Sequence, residues 1–393
     1  MRAVVVHGAG DLRVEERAAP RPRPGEVLVA MTHGGVCGSD LHYYREGAVG
    51  SFAVREPLTL GHEVVGRVAE DPTGTLPPGT PVAVHPGTSC GSCRECRKGH
   101  PQVCRDARYL GSAATFPHTQ GGFTGRLAVP AGRLRTLPPR LPLSRAVLAE
   151  PLAVALHALR RAGGVTGARV LVNGAGPIGA LTAGAARAGG AEEVWAGDVL
   201  EPQLHIAELA GAHTTVRIGR DTLPPEHFDV VIEASGAPAA PATVMDAVAR
   251  RGVIVQLGSP PAEPVRIPFA PLVAKEIAVR GTFRFEGELG AAVAMLASSD
   301  HLESVVTRTF PLEEAVEAMR TAADPAVPGK VVLLLDEETG TDSGPGDTAV
   351  ASASATSDSP STARPSTATT RPRTEVTTAS PGSTTGITRR AAP

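Results

Sequence analysis

From Ala168 to Gly190 the chain reads ARVLVNGAGPIGALTAGAARAGG: a short β-branched run, glycines at 174, 176 and 179, then an alanine-rich stretch closing in Gly-Gly. Strand, glycine turn and helix in that order are one half of a strand–helix–strand unit. The text beyond it repeats the alternation, with EEVWAGDV, then FDVVIEASG, a helix through Met245, GVIVQLGSP and EIAVRGTFRF. Repeated strand and helix segments predict an α/β region built on a doubly wound parallel sheet, with ligand at the carboxyl ends of its strands.

The spacing of those glycines says which ligand. Gly174, Gly176 and Gly179 form G-x-G-x-x-G directly after a hydrophobic strand, with Pro177 and Ile178 inside the turn, and such a turn lets backbone approach a pyrophosphate at the helix N-terminus. Asp198 ends the next strand 19 residues after Gly179, where an acid meets the ribose hydroxyls of a dinucleotide. Val199 and Leu200 follow it, with no arginine beside it to receive a 2′-phosphate; Arg220 is a more distant base. NAD is therefore expected ahead of NADP.

At 393 residues the chain has room for two cores. Its net charge of −2, with both signs interspersed, gives no footprint for nucleic acid. No apolar run is long enough to span a bilayer, and the opening MRAVVVHGAGDLRVEE turns acidic too early for a signal peptide, so a soluble, cytoplasmic protein is expected. Before residue 144 the segments AVVVHG, EVLVAMTHGGV and TPVAVHP are short strands bounded by Gly and Pro. SRAVLAEPLAVALHALRRAGG, from Ser144, has helical spacing and places Glu150 in an apolar stretch, where a carboxylate needs a partner or a metal. From residue 337 to 393 the chain is Thr, Ser, Pro, Gly and Ala without an aromatic residue, the composition of a disordered tail.

Four of the five cysteines, Cys90, Cys93, Cys96 and Cys104, fall within fifteen residues as C-x2-C-x2-C-x7-C. Four thiolates so spaced can wrap one tetrahedral zinc with no position left for water, which would make the site structural. An iron–sulfur cluster or a redox pair in one C-x-x-C step are the alternatives. The fifth, Cys37, lies in GVCGSDLHYY, upstream of GHEVVG with His62 and Glu63. Thiolate, imidazole and carboxylate are the ligands of an open zinc site with a free fourth position. The plainer reading is a buried thiol near a packed histidine.

With CGSDLH, GHEVVG, the four-cysteine run and the glycine turn on one chain, residues from about 1 to 336 resemble the zinc-dependent medium-chain dehydrogenases. The resemblance implies a strand-rich GroES-like catalytic domain over residues 1–145, completed by 284–336, and a Rossmann domain over 146–283. It implies two zinc ions per chain, a structural one in the cysteine lobe and a catalytic one on Cys37 and His62, with Glu63 or Glu150 as the third ligand. It also implies that Asp40 orients the metal-bound imidazole. Ser39 would receive the alcohol proton and pass it through the cofactor ribose to His42, and Lys330 would contact the cofactor. Read without the family, Ser39 caps a helix beginning at Asp40.

No cysteine remains for a second catalytic thiolate, which points to the polyol branch of the family. The expected substrate is a small polyol or sugar acid. L-idonate, oxidised to 5-keto-D-gluconate, comes first, and sorbitol or xylitol second. A sugar acid needs a cation near the reacting hydroxyl, and Arg284 in GTFRF is the candidate, although it could instead bind Glu150; Tyr43 or His118 would hold intervening hydroxyls. Gln120 stands where the family pattern leads one to expect an acid. A homo-oligomer, dimer or tetramer, is implied, and a non-catalytic protein that keeps zinc and cofactor is the contrasting class.

Overall fold

The computed structural model describes residues 1–260 and 263–335. The valine-rich runs near the start become strands, and the longest, Glu26–Gly35, is the spine of a seven-stranded sheet. Across that sheet the order is Leu134–Thr136, Pro81–Val84, Glu63–Glu70, Glu26–Gly35, Lys330–Leu334 and Val306–Pro311, with Arg126–Pro130 also paired to the spine. Strand Lys330–Leu334, the last described, runs antiparallel to the spine, so the chain returns at its far end to the sheet it began.

Register in this sheet assembles what sequence separates. Gly35 lies opposite Glu63 in the antiparallel pair. Cys37, two residues beyond Gly35, is thereby brought to His62, one residue before Glu63. Side chains on paired strands meet across such a register, and here it demands a residue without one: a Cβ at position 35 would lie 2.2 Å from Glu63 Oε2.

The second sheet has six parallel strands in the order Thr214–Arg217, Glu193–Asp198, Arg169–Asn173, Phe228–Glu233, Val248–Gln256 and Ala278–Gly281. Strand order reverses between Arg169–Asn173 and Phe228–Glu233, which is where a doubly wound sheet opens its ligand crevice. Helix Ala149–Ala162 buries Leu152, Ala155, Leu159 and Ala162 at helical spacing and stops at Gly163, whose φ is 99°. Each fully buried leucine of this kind contributes about 1.5–3 kcal/mol relative to exposure.

Phe285, Leu289, Ala292, Val293, Leu296, Leu302 and Val305 pack into the same core as that helix, and the chain rejoins the first sheet at Val306. Among the described residues no helix is long and apolar enough to cross a membrane. The stretch expected to form a tail, 337–393, lies outside the described residues.

Candidate active site

Ligand atoms of Cys37, His62 and Glu63 lie within 4.8 Å of one another, with His62 and Glu63 buried. Glu63 Oε1 accepts from Lys330 Nζ at 2.8 Å, and Lys330 also donates to the Val36 carbonyl at 3.0 Å. Glu63 Oε2 is buried and has no hydrogen-bond partner. An orphaned carboxylate oxygen beside a thiol and an imidazole fits a divalent zinc ion, which would take all three donors. The field agrees. Burial opposes protonation of His62, but Cys37, Asp40 and Glu150 outweigh it and lift the imidazole to about 10, as happens where negative charge is in surplus.

Glu150 enters from the first turn of helix Ala149–Ala162, and its Oε1 accepts the Tyr109 hydroxyl at 2.6 Å. Burial pushes the Glu150 carboxyl above its usual range, and burial together with the Glu150 charge holds the Tyr109 phenol well above its own. The Tyr109 ring lies 5.6 Å from that of His62. Arg284 stacks its guanidinium 4.0 Å from the centroid of Tyr109 and 4.7 Å from Phe283, and among the described residues it makes no hydrogen bond. Its φ of 52° is the left-handed region, which an arginine seldom occupies.

Helix Gly38–Glu46 starts one residue after Cys37, so Ser39 lies inside its first turn and does not cap it. His42, one turn further, is exposed and holds Glu46 Oε1 with Nδ1 at 2.8 Å. Asp40 is buried, and its carboxylate accepts the backbone N–H of Cys37 at 3.0 Å and of Gly61 at 3.2 Å. It therefore ties the two ligand-bearing turns together, and among the described residues it makes no hydrogen bond to the His62 ring. Lys330 is placed with Glu63: its hydrogen bonds go there and to Val36, and none goes to the glycine turn.

Three of the predicted residues serve the backbone. Tyr43 is buried and its hydroxyl accepts the Ala113 N–H at 2.9 Å. His118 uses both ring nitrogens, Nε2 accepting from Arg55 N at 2.9 Å and Nδ1 meeting the Thr115 carbonyl at 2.8 Å. Gln120 accepts from Thr59 N at 2.7 Å and donates to the Pro57 carbonyl at 3.2 Å. The glutamine has amide geometry on both sides, a job that an acid could not do. Tyr109 is the site residue that sequence reading passes over, since an aromatic five residues beyond Cys104 has no local signature.

At the end of strand Arg169–Asn173, Gly174 adopts φ 99°, and a Cβ there would lie 2.4 Å from Ser235 N. A Cβ on Gly179 would meet the Gly174 carbonyl at 1.8 Å, while Gly176 faces open space at the start of helix Pro177–Ala188. Open backbone at a helix N-terminus fits a pyrophosphate. Pro177 fills the first helical position, where its missing N–H costs nothing, and Ile178 packs against the neighbouring core. Asp198 accepts from Ala175 N at 2.7 Å and Leu200 N at 2.9 Å, so the acid is fixed against the glycine turn.

The four remaining cysteines are free thiols gathered into one group. Sulfur separations are 3.5 Å for Cys90–Cys104, 3.8 Å for Cys93–Cys104 and 4.0 Å for Cys90–Cys96. A tetrahedron with metal–sulfur bonds of about 2.3 Å has edges of about 3.8 Å, so the cage fits a single zinc ion and leaves no space for a multi-iron cluster.

Residues 23–139 match the family model described as alcohol dehydrogenase GroES-like domain, and residues 177–298 match that of zinc-binding dehydrogenase. The L-idonate 5-dehydrogenase (NAD(P)(+)) of Escherichia coli is 37% identical over 85% of this chain and 98% of its own. Sorbitol dehydrogenase of Gallus gallus is 36% identical over 81% and 92%. The crystal structure of the E. coli L-idonate 5-dehydrogenase superposes with a TM-score of 0.81 at 36% identity, covering 85% of this chain and 97% of that one. With two family models matched and relatives above 30% identity covered almost in full, the chain belongs to the zinc-dependent medium-chain dehydrogenases.

Proposed function

We propose that this chain oxidises a secondary alcohol of a sugar acid with NAD, L-idonate at carbon 5 giving 5-keto-D-gluconate. Zinc on Cys37, His62 and Glu63 would supply Lewis acidity toward the alcohol oxygen, and NAD on the glycine turn would supply the hydride acceptor. Ser39 Oγ takes the hydroxyl proton as it releases its own toward His42. His42 Nε2, whose partner nitrogen is held by Glu46, delivers it to solvent. Tyr109 fixes Glu150, and Asp40 fixes the two backbone turns that carry the ligands.

The observation that carries the sugar-acid reading is the Arg284 guanidinium. It is stacked over a ring beside the metal site, yet among the described residues its donor fork is unused, and Glu150, its rival partner, is taken by Tyr109. A planar fork of that kind matches a carboxylate. The relative named L-idonate 5-dehydrogenase supports the same reading, and the one named sorbitol dehydrogenase supports a neutral polyol as the second. Asp198 favours paired ribose hydroxyls, hence NAD. The proposed solution species is a dimer or tetramer, in keeping with edge strand Ala278–Gly281, which among the described residues pairs on one side only and leaves Val279 exposed.

The test is kcat/KM with NAD on L-idonate, D-gluconate, sorbitol and xylitol side by side, for the parent and Arg284→Ala. L-idonate is expected to lead, and the substitution to raise its KM at least about tenfold while moving sorbitol far less. Good turnover of sorbitol or xylitol without L-idonate would move the assignment to a neutral polyol. No turnover of any alcohol with both zinc sites filled would leave only a binding protein.

A further inference from the structure

Glu233 ends strand Phe228–Glu233 at 1% exposure, and the chain meets it with neutral donors alone. Its Oε1 accepts Ser235 N at 2.8 Å, Ser235 Oγ at 2.6 Å and Gly236 N at 2.8 Å. Its Oε2 accepts Asn173 Nδ2 at 2.5 Å, from the last residue of the neighbouring strand Arg169–Asn173. Both oxygens act as acceptors, as those of a carboxylate do. Among the described residues no lysine, arginine or histidine pairs with it. Hydrogen bonds answer the desolvation of this acid without neutralising it, so a buried negative charge stays at the carboxyl end of the strand. That end faces the crevice. A Cβ on Gly174 would lie 2.4 Å from Ser235 N, and one on Gly258 2.4 Å from Gly236 N. The turns after strands Arg169–Asn173, Phe228–Glu233 and Val248–Gln256 therefore meet backbone to backbone, and the acid is bonded to the middle one.

Strand Glu193–Asp198 flanks the glycine turn on one side and strand Phe228–Glu233 on the other. A dinucleotide with its pyrophosphate on that turn and its adenosine ribose at Asp198 extends its nicotinamide half toward the Ser235–Gly236 turn. The nicotinamide ring of NAD is a cation and becomes neutral on accepting hydride. We propose that Glu233 sets the redox preference of the bound cofactor: its buried, unneutralised carboxylate stabilises the cationic ring of NAD and not the neutral ring of NADH, which loads the site for alcohol oxidation. The inference rests on the reading that NAD lies on the glycine turn. At an effective dielectric of about 20, unit charges about 10 Å apart change a binding constant roughly tenfold. The pyrophosphate, which the carboxylate repels, is common to both forms and cancels from their ratio.

Titration calorimetry on the zinc-loaded full chain, with NAD, NADH and ADP-ribose, tests this without relying on turnover. Glu233→Gln keeps the shape and removes the charge. Its carbonyl oxygen accepts the same three donors, and Asn173 Oδ1, buried and without a partner among the described residues, is free to turn and accept the new amide. The ratio of the NADH Kd to the NAD Kd is expected to fall at least about fivefold, which raises the potential of the bound couple by about 20 mV. ADP-ribose, with the pyrophosphate but no ring, should bind as tightly or more so. Glu233→Ser, neutral and smaller, should give the same fall. Glu233→Asp, which keeps the charge on a shorter stem, should hold the ratio within about twofold even where all three ligands weaken. An unchanged ratio in the neutral variants, or the same fall in Glu233→Asp, overturns the electrostatic role and leaves Glu233 as a clip on its turn. If ADP-ribose fails to bind the parent chain, the cofactor seat itself is misplaced and both readings fall.

Discussion

Glu63 is 1% exposed, and a carboxylate so deep is costly unless it is paired or bound to a metal. Lys330 answers Oε1, which leaves Oε2 as the oxygen a metal would claim. Glu150 has its own partner in Tyr109 and stands behind the donors. Glu63→Ala is therefore expected to lose the catalytic ion and retain about one zinc per chain in the cysteine lobe. Glu150→Ala should hold closer to two while turnover falls about tenfold or more. Zinc content by mass spectrometry beside initial rates decides it, and loss of the ion from the Glu150 variant alone would reverse the order. Cys37, His62 and Glu63 were legible because each lies in a short run with a chemical signature. Lys330 was named for the cofactor, but its pairing with Glu63, 267 residues away, was not legible, and Tyr109, a lone ring, was passed over.

The cysteine lobe is an element with little else to hold it. Its helix, Arg94–Arg97, is four residues long with none buried, and its sheet is the two-residue pair of Gly87–Thr88 with Arg108–Tyr109. Backbone N–H groups already point at sulfur, from Cys90 to Cys104 at 3.4 Å, Cys93 to Cys90 at 3.3 Å and Cys96 to Cys93 at 3.4 Å. Metal binding here is folding free energy. Cys96→Ser is expected to lower the thermal midpoint by about 5 °C or more, read by calorimetry; a variant as heat-stable as the parent would rule out a structural ion. This element was readable from spacing, as was the unit from Arg169 to Ala188, because both are local. His118, expected to hold a substrate hydroxyl, spends both ring nitrogens on backbone groups, and a backbone clamp and a ligand contact use the same polar side chains.

Across the whole molecule one network binds three parts. Glu286 accepts from Gln102 Nε2 at 2.9 Å and meets His100 Nδ1 at 2.8 Å, both in the cysteine lobe, and it pairs with Arg160 of helix Ala149–Ala162. Arg160 Nε continues to Glu288 at 3.1 Å, and Glu288 to buried His157 at 2.9 Å. The lobe is thus moored to the helix that presents Glu150 and to the segment that presents Arg284. Glu286→Ala should quicken amide exchange over residues 90–104 and cost about 1–3 kcal/mol; unchanged exchange there would mean the lobe is held by its metal alone. The sequence's alternation foretold the parallel sheet, but a strand that crosses back to an earlier sheet leaves no periodic trace. That return has a consequence in time. A ribosome adding about 5–20 residues per second exposes Glu63 roughly 13 to 53 s before Lys330 exists, given their 267-residue separation. Throughout that interval the nascent sheet has an open edge beside Glu26–Gly35, and the buried acid has no base to meet it. The amino-terminal ligands thus wait on the last described strand, and only a chain translated nearly to residue 335 can close the pocket in which its first cysteine works.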